Sequence, residues 1–123
     1  MIAALIFLVA LAPHEQRLLD ETNEARARHG LRALSADVTL QGQARSHASY
    51  MARNSRLQHA GGGYAAENIA AGQRSAKSAV RSWLNSTSGH RRNLLNPSFT
   101  RVGAAAYKTP GTDRIYWCQQ FGR

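Results

Sequence analysis

Cys118 is the sole cysteine of this 123-residue chain, so no internal disulfide can staple the fold. Stability has to come from packing alone. With 43% of its residues apolar, the chain supplies one hydrophobic core and is too short for two ordinary domains. Cys118 lies in Ile115-Tyr116-Trp117-Cys118-Gln119-Gln120-Phe121, a run that alternates as a strand does. A small buried or half-buried apolar residue is expected there, in preference to a reactive thiol.

Helical period appears first between His14 and His29, where Leu18, Leu19, Thr22 and Ala25 share a face and Gly30 supplies the stop. A second helix, capped by Ser35 or Asp37, carries Leu40, Ala44, His47, Ala48 and Met51 on its inner face. His47 is expected as a core histidine bonded to a backbone group. Gly61-Gly62-Gly63 costs too much backbone entropy for a regular element and predicts a loop beside His59. Ala65 to Ala70 reads as a short strand or a helical turn. Ser75 caps a third helix through Trp83, Ser88 caps a short helical turn from His90 to Leu95, and Asn96-Pro97 ends it. Val102–Lys108 and Ile115–Phe121 are strands joined by the loop Thr109–Asp113. Trp83, Tyr116, Trp117 and Phe121 sit at core-like positions. Helices followed by an antiparallel hairpin predict a layered α+β domain.

Sixteen Lys and Arg against seven Asp and Glu give a net charge of +9, which favours anionic partners such as cell-wall polymers or anionic lipid. The cations are spread from Arg17 to Arg123 without dense runs, which speaks against nucleic acid as the partner. Residues 1–13 form an apolar, signal-like segment in which Ala10-Leu11-Ala12 resembles a small-x-small cleavage site, although no basic residue precedes the run. It is short for a bilayer-spanning helix. Secretion or residence in the cell envelope, at the periplasm or the cell surface, is the expectation. A retained segment, residues 1–12, is expected to touch a membrane surface or to bury itself in a groove of its own chain or of a partner in a dimer.

From Asn23 onward an ordered series of motifs resembles bacterial domains of the CAP superfamily (cysteine-rich secretory, antigen 5 and pathogenesis-related proteins; SCP-like). The series begins with Asn23, Arg26 and Gly30, then Leu40, Ala44, His47 and Met51. It continues through His59, Ala66-Glu67-Asn68-Ile69-Ala70, Val80 with Trp83, and Ser88-Gly89-His90-Arg91-Arg92-Asn93-Leu94-Leu95. Val102-Gly103 and Tyr116-Trp117 with Gln119 and Phe121 close it. The resemblance implies a CAP domain over residues 14–123, folded as a three-layer α-β-α sandwich with a central antiparallel sheet. It also implies a cleft holding two histidines and two acidic residues. Position by position, His59 and His90 match the histidines and Glu67 one acidic residue. Ser86 stands where the second acidic residue is expected, so the full tetrad is absent.

Given that fold, His59, Glu67, Ser86 and His90 form the expected ligand-binding cleft. His59, Glu67 and His90 are candidate catalytic residues and a chemically reasonable zinc set with an open fourth position. Glu67 serves equally as an acceptor that fixes a histidine tautomer. His90, at the start of a helical turn, is expected neutral because the positive end of the helix dipole disfavours imidazolium. Ser88 next to His90 does not resemble a strand-turn-helix nucleophile elbow. Two functions follow. One is an extracytoplasmic binding module for lipid or cell-envelope ligands, needing no cofactor. The other is a zinc-assisted hydrolase of peptide or cell-wall bonds.

Overall fold

The structure, a computed structural model, describes residues 8–123; the expectations for residues 1–7 lie outside them. The first helix, α1 (Pro13–Arg28), opens with Pro13 at its first turn, where a missing N–H costs nothing. Its inner face is Leu18, Leu19, Thr22 and Ala25, as the period predicts. Leu31 to Leu34 does not run directly into the second helix. Ser35–Ala36 first forms a short strand, β1, parallel to β3 (Arg101–Lys108), with Ser35 opposite Arg101 and Ala36 opposite Val102. Two residues are too few to leave a periodic signal in the sequence.

Of the two candidate caps, Asp37 serves α2 (Val38–Asn54), its carboxylate accepting from Leu40 N–H at 2.9 Å. The segment left open between strand and turn is a strand, β2 (Ala66–Ala71). It is followed by α3 (Ala76–Leu84), capped by Ser75, and by α4 (His90–Leu94). The last strand, β4 (Ile115–Gly122), lies between β3 and β2 and is antiparallel to both, giving the order β1-β3-β4-β2.

Strand alternation divides the core between the two faces of this sheet. On one face Ala104, Ala106 and Trp117 meet Leu18 and Ala25 of α1, Val80 and Trp83 of α3, and Leu94 of α4. On the other, Ala105, Tyr116 and Cys118 meet Ala44, Ala48 and Met51 of α2. The result is a sheet between helical layers. Small residues on β3 let α2 come close. A Cβ on Gly103 would lie 2.1 Å from the Leu40 carbonyl oxygen, so only glycine fits under this helix. Because β1 ends at Ala36, the edge of β3 beyond it lacks a strand partner among the described residues, and Gln41 substitutes: its amide donates to Ala104 O (2.7 Å) and its oxygen accepts from Ala104 N–H (2.9 Å).

Two of the motif residues near the end of α1 act as clamps. Asn23 bonds both backbone groups of Leu34, at 3.0 and 2.8 Å. Arg26 is fully buried without a carboxylate partner, and its guanidinium donates to the carbonyls of Arg32, Leu94, Asn96 and Phe99. Burial pushes its pKa down. Arg26 thereby fixes the end of α4, the helix that begins with His90.

At the start of the described chain, Arg45 donates to Ala10 O at 2.6 Å, and Leu11 packs on a cluster of Leu19, Leu34, Phe99, Val102 and Phe121. Leu8 is 88% exposed, so among the described residues of the apolar segment the seating begins after it, at Ala10 and Leu11. Among the described residues no helix is long and apolar enough to cross a membrane.

Candidate functional site

Glu67 is the second residue of β2 and lies opposite Gln120 of β4. Its side chain is 1% exposed, and both oxygens are occupied. Oε1 lies 2.7 Å from His59 Nδ1 and accepts from Ala60 N–H at 2.9 Å, while Oε2 accepts from Gln120 Nε2 at 2.8 Å and lies 3.6 Å from Cys118 Sγ. The carboxylate can only accept, so the ring proton of neutral His59 sits on Nδ1. Glu67 thus holds the glycine loop to the sheet and sets one tautomer of His59. Its charge is felt by its neighbours. Burial first and Glu67 second raise the pKa values of Tyr64 and of the Cys118 thiol. Cys118 is buried and inert by this criterion, as its strand pattern predicts.

The loop carrying His59 is tied at three further points, and two of its glycines take left-handed backbone angles. His47 Nε2 contacts the Gln58 carbonyl, the Tyr64 hydroxyl donates to Ala60 O at 2.6 Å, Ala65 N–H donates to Phe121 O at 2.8 Å, and Gly62 and Gly63 adopt φ of 141° and 85°. His47 does bond a backbone group, but it is half-buried rather than in the core and stacks on Tyr50 at 6.1 Å. His59 itself is open, with 59% of its side chain exposed.

His90 opens α4 and is half-buried. Its Nδ1 lies 2.7 Å from Ser86 Oγ, so the hydroxyl at the missing acidic position becomes the partner of this ring. Ser88 does not cap α4. Gly89, at φ 105°, occupies the cap position with no side-chain bond, and Ser88 instead pairs its hydroxyl with Ser86 Oγ at 3.0 Å. The pKa of His90 is lowered, and the cause differs from the helix-dipole argument: burial comes first and the charge of His59 second. Geometry joins the segments that carry the two imidazoles: Asn93 of α4 donates to the Glu67 carbonyl at 3.3 Å. A buried amide chain sets their supports in register. Asn68 donates to His90 O (3.0 Å) and to Gln119 Oε1 (3.1 Å), Asn93 donates to Asn68 Oδ1 (3.1 Å), and Gln119 donates to Thr22 Oγ1 of α1 (3.0 Å).

Folding therefore brings His59, Glu67, Ser86 and His90 into one region as two pairs, His59–Glu67 and His90–Ser86. Each ring uses Nδ1 within the protein, and among the described residues neither Nε2 has a protein partner. Glu67 has no oxygen left to ligate a metal, and among the described residues no three His, Cys, Asp or Glu side chains converge on a metal-holding group. What remains for a metal is a two-nitrogen donor set, His59 Nε2 and His90 Nε2, with Glu67 behind His59 in the carboxylate–histidine arrangement common at zinc sites.

Of the residues that hold the site from beneath, Thr22 stands on the predicted inner face of α1 and Asn93 and Gln119 among the family motifs, but their joint network, and any role for Gln120, goes unread in the sequence. Gln119 and Gln120 sit in an apolar strand, and two buried amides there are the signal that marks them. Two roomy depressions, about 530 and 620 Å³, lie elsewhere, and both are lined by His14, Ile115 and Trp117.

Comparison with known proteins agrees with this architecture. The chain matches the CAP family, described as the cysteine-rich secretory protein family, over residues 19–121. It is 33% identical to the uncharacterised Bacillus subtilis protein YkwD over 91% of its own length and 48% of that protein, so it spans about half of this relative. Among solved structures, it resembles an extracellular SCP-domain protein from Bacillus anthracis (29% identity, TM-score 0.74, 94% of this chain and 45% of that one). It also resembles an outer surface protein from Borrelia burgdorferi (25% identity, TM-score 0.73, 88% and 91%). With nearly all of its core and its histidine-bearing segments inside the matched range, the chain belongs to the CAP family and is a bacterial-type domain of that superfamily.

Proposed function

We propose that this domain is a binding module working outside the cytoplasm, which presents His59 Nε2 and His90 Nε2 to a lipid or cell-envelope ligand. The observation that carries the reading is the full engagement of Glu67. A general base needs an oxygen within reach of the proton it takes, and both oxygens of this carboxylate are spent on the protein. Ser86 at the second acidic position supplies no other carboxylate. The two imidazoles are thus rigidly held polar contacts on an open surface, an arrangement suited to recognition. Location outside the cytoplasm is supported by the extracellular Bacillus anthracis relative and by the signal-like segment.

Zinc, where present, would be held by His59 and His90 through Nε2 and would add a Lewis-acid contact for a ligand oxygen. The binding reading does not require it. The test is co-sedimentation of the purified chain with isolated bacterial envelopes and with liposomes, in parallel with the His59→Ala/His90→Ala variant. Retention of the native chain on one of these, weakened about tenfold in the variant, is expected. Equal retention of both proteins, or of neither, contradicts the reading. Release of soluble peptide or glycan fragments by the native chain, lost in the variant, would replace it with the hydrolase.

A further inference from the structure

Strand β3 bonds to β4 through alternate residues, and the residues between them turn their backbone groups the other way. Thr109 N–H donates to Arg114 O at 2.9 Å, and Tyr107 lies opposite Tyr116 two residues earlier. Tyr107 therefore faces β4, while Val102, Ala104, Ala106 and Lys108 point their N–H and C=O outward. The first two are met. Val102 O accepts from Asp37 N–H at 3.0 Å, and both groups of Ala104 are taken by the Gln41 side chain. Beyond Ala104 the filling stops. Among the described residues no strand or side chain meets the outward groups of Ala106 or Lys108. On the opposite edge of the sheet, Glu67 O accepts from Asn93 Nδ2 at 3.3 Å and Ile69 O from Trp83 Nε1 at 3.0 Å.

The open stretch lines a depression of about 530 Å³. Trp117 and Ile115 are the register partners of Ala106 and Lys108, share their face of the sheet, and line the same depression. Arg45 and Glu15 line it too, but they are spent on each other at 2.8 Å, and Arg45 also on Ala10 O. Ala106 is only 7% exposed, and backbone groups so placed need a partner. A donor and an acceptor repeated every second residue, about 7 Å apart, are the complement of an extended peptide backbone. A lipid tail has no such groups. Lys108 is exposed and in no ion pair among the described residues, which favours an acidic side chain on the incoming strand. The same lysine opposes a second copy, whose own Lys108 would enter the same short ladder.

We propose that the β3 edge at Ala106–Lys108 takes an extended peptide of another protein as an added strand, with alternate side chains of the peptide lying over Trp117 and Ile115. This is a second site, independent of the histidines.

The experiment titrates the full chain with a blocked pentapeptide, valine-threonine-valine-threonine-glutamate, whose valines and glutamate share one face, and follows backbone ¹⁵N–¹H signals. Binding with a Kd of about 1 mM or tighter is expected. The Ala106 and Lys108 amide protons should slow in exchange, and Tyr107 N–H, already bonded to β4, should not change. The same peptide methylated on every backbone nitrogen should not bind. Lys108→Pro deletes an outward N–H at an edge position that tolerates proline, and should weaken binding about tenfold beyond Lys108→Ala, which keeps the N–H. Should Lys108→Pro fail to fold, the methylated peptide decides on the native chain. Equal affinity of the two peptides, or of the two folded variants, would leave side chains alone responsible and overturn the proposal, as would no binding at about 1 mM. Ala106 and Lys108 amides protected before any peptide is added would also overturn it. Protection at every concentration would mean that the chain covers its own edge, and protection only at high concentration that a second copy does. Binding lost in His59→Ala/His90→Ala would move the peptide to the histidines and overturn the second site.

Discussion

The two histidines of the site are held in opposite ways. His59 sits on an exposed glycine-rich loop, and its ring is held by one buried carboxylate that also binds Ala60 and Gln120. His90 sits on a helix that Arg26 and Asn68 fix through backbone carbonyls, and its side-chain partner is the serine hydroxyl of Ser86. On the first arm the side-chain partner is structural, since the same carboxylate also anchors the loop backbone at Ala60. On the second, the backbone is structural and the side-chain partner dispensable. The acidic residue that the site does carry, Glu67, is the one on which a loop depends.

This asymmetry is exposed most strongly by removing each partner in turn. Glu67→Ala leaves the Gln120 amide and the Ala60 N–H without their acceptor inside the fold, and should destabilise the domain by about 3 kcal/mol, read as a lower urea midpoint. Ser86→Ala removes a half-buried neutral contact and should cost about 1 kcal/mol or less in the same assay. Similar losses in the two variants would end the comparison.

Acid sharpens it further. The His90 pKa is lowered in the fold, so above the ordinary imidazole value of about 6.5 the ring is neutral both folded and unfolded and costs nothing. As pH falls through that value the unfolded chain takes up its proton first, and stability declines. His90→Gln should remove this contribution and flatten the acid side of a stability-against-pH curve measured by urea unfolding. A curve of unchanged slope would show that burial and His59 do not act on His90 as described. The smallest effect is expected from His59→Ala. An exposed ring removed from a buried acceptor that keeps its other donors should shift stability by no more than about 0.5 kcal/mol.

How much of this was legible in the sequence depends on what each feature needs. Helix α1, the Ser75 cap and the β3–β4 hairpin rest on local period and turn chemistry, and their residues announced them. Strand β1 depends on pairing with Arg101 and Val102, far along the chain, and nothing local marks it. The grouping of His59, Glu67 and His90 came only through family resemblance, since no spacing between them suggests a site. The division of labour among them is a tertiary fact. Glu67 becomes a structural acceptor because Gln120 lies across the strand pair, and His90 is kept neutral by burial rather than by a five-residue helix. Ser88 misled for a related reason: with Ser86 and His90 adjacent in space, its hydroxyl finds a better partner than the helix end.

The central claim is that Glu67 belongs beneath the site and sets the tautomer of His59. Imidazole ¹⁵N–¹H correlation spectra at neutral pH report this directly. A His59 ring protonated at Nδ1 with a bare Nε2, reverting in Glu67→Ala to the mixture typical of a free imidazole, is the predicted result. A His59 protonated at Nε2, or a tautomer unaltered in Glu67→Ala, would contradict the account.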